Sequence, residues 1–215
     1  MSQVDQNALS KRGYGLLGGV FDPVHRGHLV AARAAIEQLP LDRIIFLPAG
    51  SPPHKKAPKA TAEDRVEMLR RALESEPRFT IDRREIDREG PSYTVETLHE
   101  LTEEHRGVPL YFLIGADNAS TIGRWFQAEE IFSLCQPVII GRPGIEARFE
   151  KQDLPFLSDE ERESLNQLAL REVSVAPSSS EIRRRIREGA SLEDWLPPEV
   201  AEYIQARELY REESA

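Results

Sequence analysis

Cysteine is almost missing from this chain: Cys135 stands alone among 215 residues. A lone thiol excludes an internal disulfide and a cysteine-cluster metal site, and it fits a reducing cytosol. Within IFSLCQP it reads as core filler. An excess of basic charge is missing too. The formal net charge of -9 repels nucleic acid and anionic membrane, so a phosphate-backbone partner is disfavoured while small anions stay open. No apolar run is long enough to span a bilayer, and the opening residues MSQVDQNALSKR lack a signal-peptide apolar region. The expectation is a soluble, cytoplasmic protein with neither nucleic acid nor membrane as partner. A homo-oligomer stays open.

What is present is a globular balance of 40% hydrophobic and 30% charged residues, without low-complexity tract or fixed-period repeat. That predicts a flexible tail over 1–12 and a single domain over 13–215. Short apolar runs alternate with segments of helical period, the pattern of an α/β fold: a Rossmann-like open parallel sheet with helices on both faces. Strands are predicted at 14–19, 43–48, 110–115, 137–141 and 172–176. Helices are predicted at 28–38, 62–75, 94–105, 180–188 and 199–210. The second follows Thr61 as cap, with Val66, Leu69 and Leu73 on its buried face.

Each predicted strand ends in an unusual loop: GGVFDPVHRGH, PAGSPPHKK, GADNAS, GRPG and APSSSE. In an open parallel sheet such loops share one edge, where ligands bind. The first loop is neither a GxGxxG fingerprint nor a P-loop, for its glycine spacing is wrong and no lysine follows. Gly18 and Gly19 allow close backbone approach, and Pro23 fixes the turn. A helix beginning near His25 places His25 and His28 on one face of its first turn, where free N–H groups and the positive dipole end favour an anion. A single histidine would more often just pack or cap. The pair, with its glycines and its place after a strand, points to a phosphoryl cradle, with a metal pair as the lesser contender.

Ser178 followed by Glu181 resembles a capping box, and it equally suits a polyphosphate clamp built from Ser178, Ser180 and Arg183. The loop Ser51-Pro52-Pro53-His54-Lys55-Lys56 presents a base-rich end to the pocket, whereas Lys56 and Lys59 read as solvated. Asp117 suits either a helix cap or a sugar hydroxyl. Trp125 suits either the core or a stacking platform for a planar ring.

These motifs resemble the bacterial nicotinate-nucleotide adenylyltransferases, of the nucleotidyltransferase superfamily marked by (T/H)xGH and a carboxyl-terminal SSTxIR-like motif. GGVFDPVHRGH and SSSEIR carry the superfamily likeness, while PPHK at 52–55, GPSYT at 90–94, GAD at 115–117, RWF at 124–126 and GRPG at 141–144 are similar to the nicotinate-nucleotide branch. Pro177, Ser180 and Val20 depart from the commoner aliphatic residue, threonine and threonine of that pattern. The resemblance implies ATP and nicotinic acid mononucleotide as substrates, Mg2+ carried on the ATP phosphates, and no protein-held metal. It implies catalytic roles for His25, His28, Arg183 and Lys55. ATP contacts are implied for Gly18, Gly19, Val20, Phe21, His25, His28, Gly115, Asp117, Arg142, Ser178, Ser180 and Arg183. Acceptor contacts are implied for Asp22, His54, Lys55, Ser92, Tyr93, Thr94 and Trp125. The alternatives are another phosphorylated acceptor on the same scaffold, or a metal-dependent hydrolase using His25, His28 and Asp22.

Overall fold

The structure, a computed structural model, describes residues 12–53, 57–141, 147–170, 173 and 178–211. The predicted 1–12 tail lies outside these apart from Arg12.

β1 (Gly13–Gly19), β2 (Leu41–Pro48), β3 (Phe79–Ile81), β4 (Leu110–Gly115) and β5 (Gln136–Ile140) form one five-stranded sheet in the order β3-β2-β1-β4-β5. Every pairing is parallel. The chain winds outward from β1 through β2 to β3, then crosses to β4 and β5 on the other side. This is the Rossmann-like α/β arrangement, and its order reverses between β1 and β4, where a crevice opens beyond the strand ends.

Successive residues of β1 feed opposite layers: Leu17 joins the core under α1 (Arg26–Gln38), α2 (Ala62–Leu73), α8 (Ser179–Arg187) and α9 (Pro198–Ala206). Leu16 joins the core under α4 (Thr94–Glu104), α6 (Ala128–Leu134) and α7 (Asp159–Gln167). Buried strands with both faces covered read as continuous apolar runs, which is why LLGG, IIFLP and LYFLI stand out. Two short helices, α3 (Arg84–Asp87) and α5 (Ala116–Ala119), complete the set.

The structure departs from the sequence expectations at β3 and at the end of the last helix. β3 was not foreseen: three residues are too few to show a period. The expected strand at 172–176 lies outside the described residues except for buried Val173. Nearby, Leu170 makes an isolated parallel bridge to Ile140. The last helix stops at Ala206 rather than 210, because Glu208 and Tyr210 take positive φ, 54° and 65°, which no helix accommodates. Cys135 behaves as expected of a filler, its thiol donating to the Ile131 carbonyl at 3.2 Å and held above its ordinary pKa by burial.

Candidate active site

The paired histidines sit at the switch point, where β1 ends and α1 begins. His25 is the N-cap of α1 with extended backbone, and His28 lies at the third helical position. The His25 amide donates to His28 Nδ1 at 3.2 Å, while the His28 amide donates to the His25 carbonyl at 2.9 Å. His28 therefore occupies the position that glutamate holds in an ordinary capping box. An Nδ1 that accepts carries no proton, so the neutral ring bears its hydrogen on Nε2. The two rings stack at 3.7 Å between centroids and 25° between planes. Phe21, buried with φ of 52°, sets its ring edge-on to His28 at 5.0 Å. A phenylalanine with left-handed φ is strained, and in this conformation its buried ring lies against His28.

Both histidines line a cavity of about 520 Å³ whose opposite side is the start of α8. Ser178 caps α8, its hydroxyl accepting from the Glu181 amide at 3.3 Å. The Glu181 carboxylate turns instead to Arg184 and Arg185, so the sequence's capping box is half built. Ser179 donates to the Pro23 carbonyl at 3.0 Å, tying α8 to the histidine loop. Arg183 donates from Nη1 to the Asp22 carbonyl and from Nη2 to the Ser180 hydroxyl at 3.2 Å.

Asp22 is the hub beneath this cavity. It is 3% exposed, and its carboxylate accepts from the Lys59 amide at 2.7 Å, the Ala60 amide at 3.0 Å and the Tyr210 hydroxyl at 2.7 Å. Arg183 Nη1 adds a charge 3.6 Å from Oδ2. Burial and the Asp22 charge hold the Tyr210 hydroxyl above its ordinary pKa, so it stays a donor. One carboxylate thus joins four segments remote in sequence.

A second cavity of about 470 Å³ opens beside the first and shares with it Gly18, Gly19, Val20, Phe112, Asp117, Asn118 and Trp125. Tyr93 and Phe126 are its own, and with the shared Trp125 and Phe112 they make its lining aromatic. Tyr93 and Phe126 pack at 4.6 Å between centroids, and Trp125 sets its edge to Phe112 at 6.1 Å. Phe126 is 49% exposed, the one exposed large hydrophobic side chain among the described residues. Ser92 fixes the facing loop: its hydroxyl accepts from the Gly50 and Ser51 amides at 3.1 and 3.0 Å. A Cβ on Gly50 would lie 2.1 Å from the Glu85 carbonyl, so only glycine lets that loop come so close.

Of the residues singled out in the sequence, Gly18, Gly19, Val20, Phe21, Asp22, His25, His28, Gly115, Asp117, Ser178, Ser180, Arg183 and Trp125 meet at the first cavity. Ser92, Tyr93 and Thr94, with Trp125 again, meet at the second. His54, Lys55 and Arg142 lie outside the described residues. The buried Arg65 and Tyr210 were not singled out, and Phe126, Asn118 and Ser179 stood only within the RWF, GADNAS and SSSEIR stretches. Phe126 had a signal in its neighbour Trp125, and Arg65 had one in its spacing: it stands four before Leu69 on the apolar face of α2. Tyr210 had none, because it meets Asp22 only through the fold. Among the described residues, no group of three His, Cys, Asp or Glu side chains is arranged to hold a metal ion. Nor is any helix among them long and apolar enough to cross a membrane.

The cytidylyltransferase-like family model matches residues 16–185, which span both histidines and Arg183. The chain belongs to this family. Within it, the chain is similar to a probable nicotinate-nucleotide adenylyltransferase of Thermus thermophilus, at 43% identity over 92% of this chain and 98% of the relative. It is also similar to that of Clostridium perfringens strain 13, at 41% identity over 93% and 98%. Among solved structures, the Plasmodium falciparum nicotinic acid mononucleotide adenylyltransferase complexed with NaAD superposes with a TM-score of 0.68 at 20% identity, over 93% of this chain and 97% of that one. At that identity the likeness speaks for the fold alone. It agrees with the sheet order of this family member.

Proposed function

We propose that this protein transfers the adenylyl group of ATP to nicotinic acid mononucleotide, giving nicotinic acid adenine dinucleotide and pyrophosphate. The observation that carries the reading is the 43% identity to a relative of that name along nearly the whole of both chains. The paired cavities support it physically, since one is lined by phosphate-binding groups and the other by aromatic rings suited to a planar base. The reading takes residues 13–215 as one domain working in the cytoplasm.

The acceptor's phosphate is an anion at neutral pH, so the nucleophile needs no general base. Catalysis then rests on alignment and on neutralising charge at the transferred phosphorus. His28, with its hydrogen on Nε2, donates to an α-phosphoryl oxygen as charge gathers there, and the α1 N-terminus adds its dipole. His25 stacks behind and holds that ring. Arg183, steadied by Asp22, steers the departing pyrophosphate together with Ser178 and Ser180. Asp22 serves by positioning, since its oxygens are taken by the chain itself. Lys55 and His54 add charge on the acceptor side. Trp125, Tyr93 and Thr94 orient the pyridine ring, and Ser92 holds the facing loop at Gly50 and Ser51.

Magnesium fits as a cation brought in on the triphosphate: it takes oxygen ligands, and the buried carboxylate nearest the cradle is already engaged by amides and a hydroxyl. When bound it neutralises phosphate charge.

The test is pyrophosphate release from ATP and Mg2+ with a panel of acceptors. Turnover with nicotinic acid mononucleotide well above its amide, phosphopantetheine and alcohol phosphates is expected. Turnover with one of those others in its place would overturn the acceptor. Phosphate release without any acceptor would favour the hydrolase.

A further inference from the structure

Arg65 takes no part in the chemistry above, yet it is the largest fully buried side chain among the described residues, 1% exposed in the first turn of α2. Burying a guanidinium is costly unless its hydrogens are placed. Here no carboxylate of the described residues comes within ion-pair distance. Instead Nη1 donates to two main-chain carbonyls, Val20 and Ala49, both at 2.8 Å, while the buried Nε meets no hydrogen-bond partner among the described residues. Burial holds the group below its ordinary pKa, with the field of Asp22 opposing that shift.

The two carbonyls define the purpose. β1 and β2 run in parallel register up to Gly19 opposite Pro48, and one further rung, the Ala49 amide to the Gly19 carbonyl at 2.9 Å, closes the ladder. Val20 and Ala49 are the first residues past it. Their carbonyls have lost the strand pairing, and the guanidinium takes both, acting as a last rung made by a side chain. Val20 stands on the wall common to the two cavities, and Ala49 lines the acceptor cavity just before the Gly50 and Ser51 amides that Ser92 holds.

We infer that Arg65 is a positioning residue for adenylyl transfer, clamping the Val20 and Ala49 carbonyls so that the common wall brings the donor and acceptor phosphates into line. This rests on the function proposed above. In-line transfer is more sensitive to displacement than binding is, because a shift of about 1 Å costs on the order of 100-fold in rate. Lysine keeps the charge and has hydrogens enough for two carbonyls, but its side chain is one bond shorter and its nitrogen stops short of the place Nη1 holds between them. Methionine fills space and donates nothing.

The test compares Arg65→Met and Arg65→Lys with Leu69→Ala, one turn along α2, fully buried and lining neither cavity. kcat, KM for ATP, KM for nicotinic acid mononucleotide and Tm are measured for each full-length variant and the parent, well below every Tm. Arg65→Met is expected to lose roughly 100-fold in kcat with both KM values within about threefold of the parent, and Arg65→Lys roughly tenfold. Leu69→Ala is expected to lose Tm and keep kcat. Parental kcat in Arg65→Met, or in Arg65→Lys should the methionine variant not fold, overturns the inference. So does a kcat loss that Leu69→Ala shares at equal loss of Tm. A parent that works with a different phosphorylated acceptor corrects the function alone, and the same comparison is then read with that acceptor. A parent with no adenylyl transfer overturns both.

Discussion

The two cavities are close in size, about 520 and 470 Å³, and share one wall, yet they are built by different means. At the centre of the histidine cavity the paired rings are set by short-range geometry, although α8 closes it through long-range bonds. His25 and His28 are fixed by a two-way bond within one helical turn, and the start of α8 faces them across Asp22. The aromatic cavity is made by long-range packing. Tyr93 opens α4, Trp125 and Phe126 follow β4, and their facing loop is tied to Ser92 through its hydroxyl and its amide. The two histidines are thus locked locally, while groups meant for acceptor recognition are held on loops that can diverge between relatives.

The comparison breaks most sharply at His28. His28→Ala should lose about 2.7 to 4 kcal/mol of transition-state stabilisation, with both KM values moved far less. Steady-state kinetics with each substrate varied in turn would read it, and parental kcat would remove His28 from the chemistry.

On the other side, Ser92→Ala removes the acceptor of two backbone amides in a part-buried loop, at a cost of about 1 kcal/mol in stability. Calorimetric Tm and acceptor KM should both worsen while KM for ATP holds. A rise in the ATP constant instead would mean that the cavities are not separately supported. Trp125→Ala should raise acceptor KM roughly tenfold, about 1.4 kcal/mol of ring packing. Because Trp125 touches both cavities, an equal rise for ATP would erase the distinction between them.

The smallest effect concerns Glu85, buried beside the acceptor loop. Burial raises its pKa, while the Thr97 hydroxyl at 2.9 Å and Arg88 work against that rise. A carboxyl whose folded pKa is raised binds protons more tightly in the native state. Its contribution to stability therefore falls as pH rises from the ordinary carboxylate range through the folded pKa. Glu85→Gln keeps an acceptor for Thr97 and removes that slope. Denaturant unfolding across this pH range should give a flatter curve for the variant than for the parent. An unchanged slope would show that Glu85 does not titrate as its burial implies.

The same contrast explains what was legible in the sequence. The parallel sheet could be read because β1, β2, β4 and β5 are buried on both faces and appear as unbroken apolar runs. The histidine cradle could be read because its parts lie three residues apart. The α7 helix went unread, although Ser158 and Glu161 form a full capping box, because its DEERESLNQ sequence carries almost no apolar face. The helices α3 and α5, each of four residues, are too short for any period. The resemblance implied that Asp22 and Ser92 contact the acceptor, but their bonds to amides and to the Tyr210 hydroxyl, which only folding brings together, could not be read from it. Arg65 was hidden for the converse reason: a charged residue at an apolar spacing reads as a surface residue until its carbonyl partners are in place.

A structure of the full chain bound to nicotinic acid adenine dinucleotide tests the joined-cavity account most directly. The expected result is the adenylate half in the histidine cavity, the pyridine ring between Trp125 and its aromatic neighbours, and the bridging phosphates over Gly18 to Val20 within reach of His28 Nε2. Both halves lodged in one cavity, or phosphates lying away from His28, would contradict it.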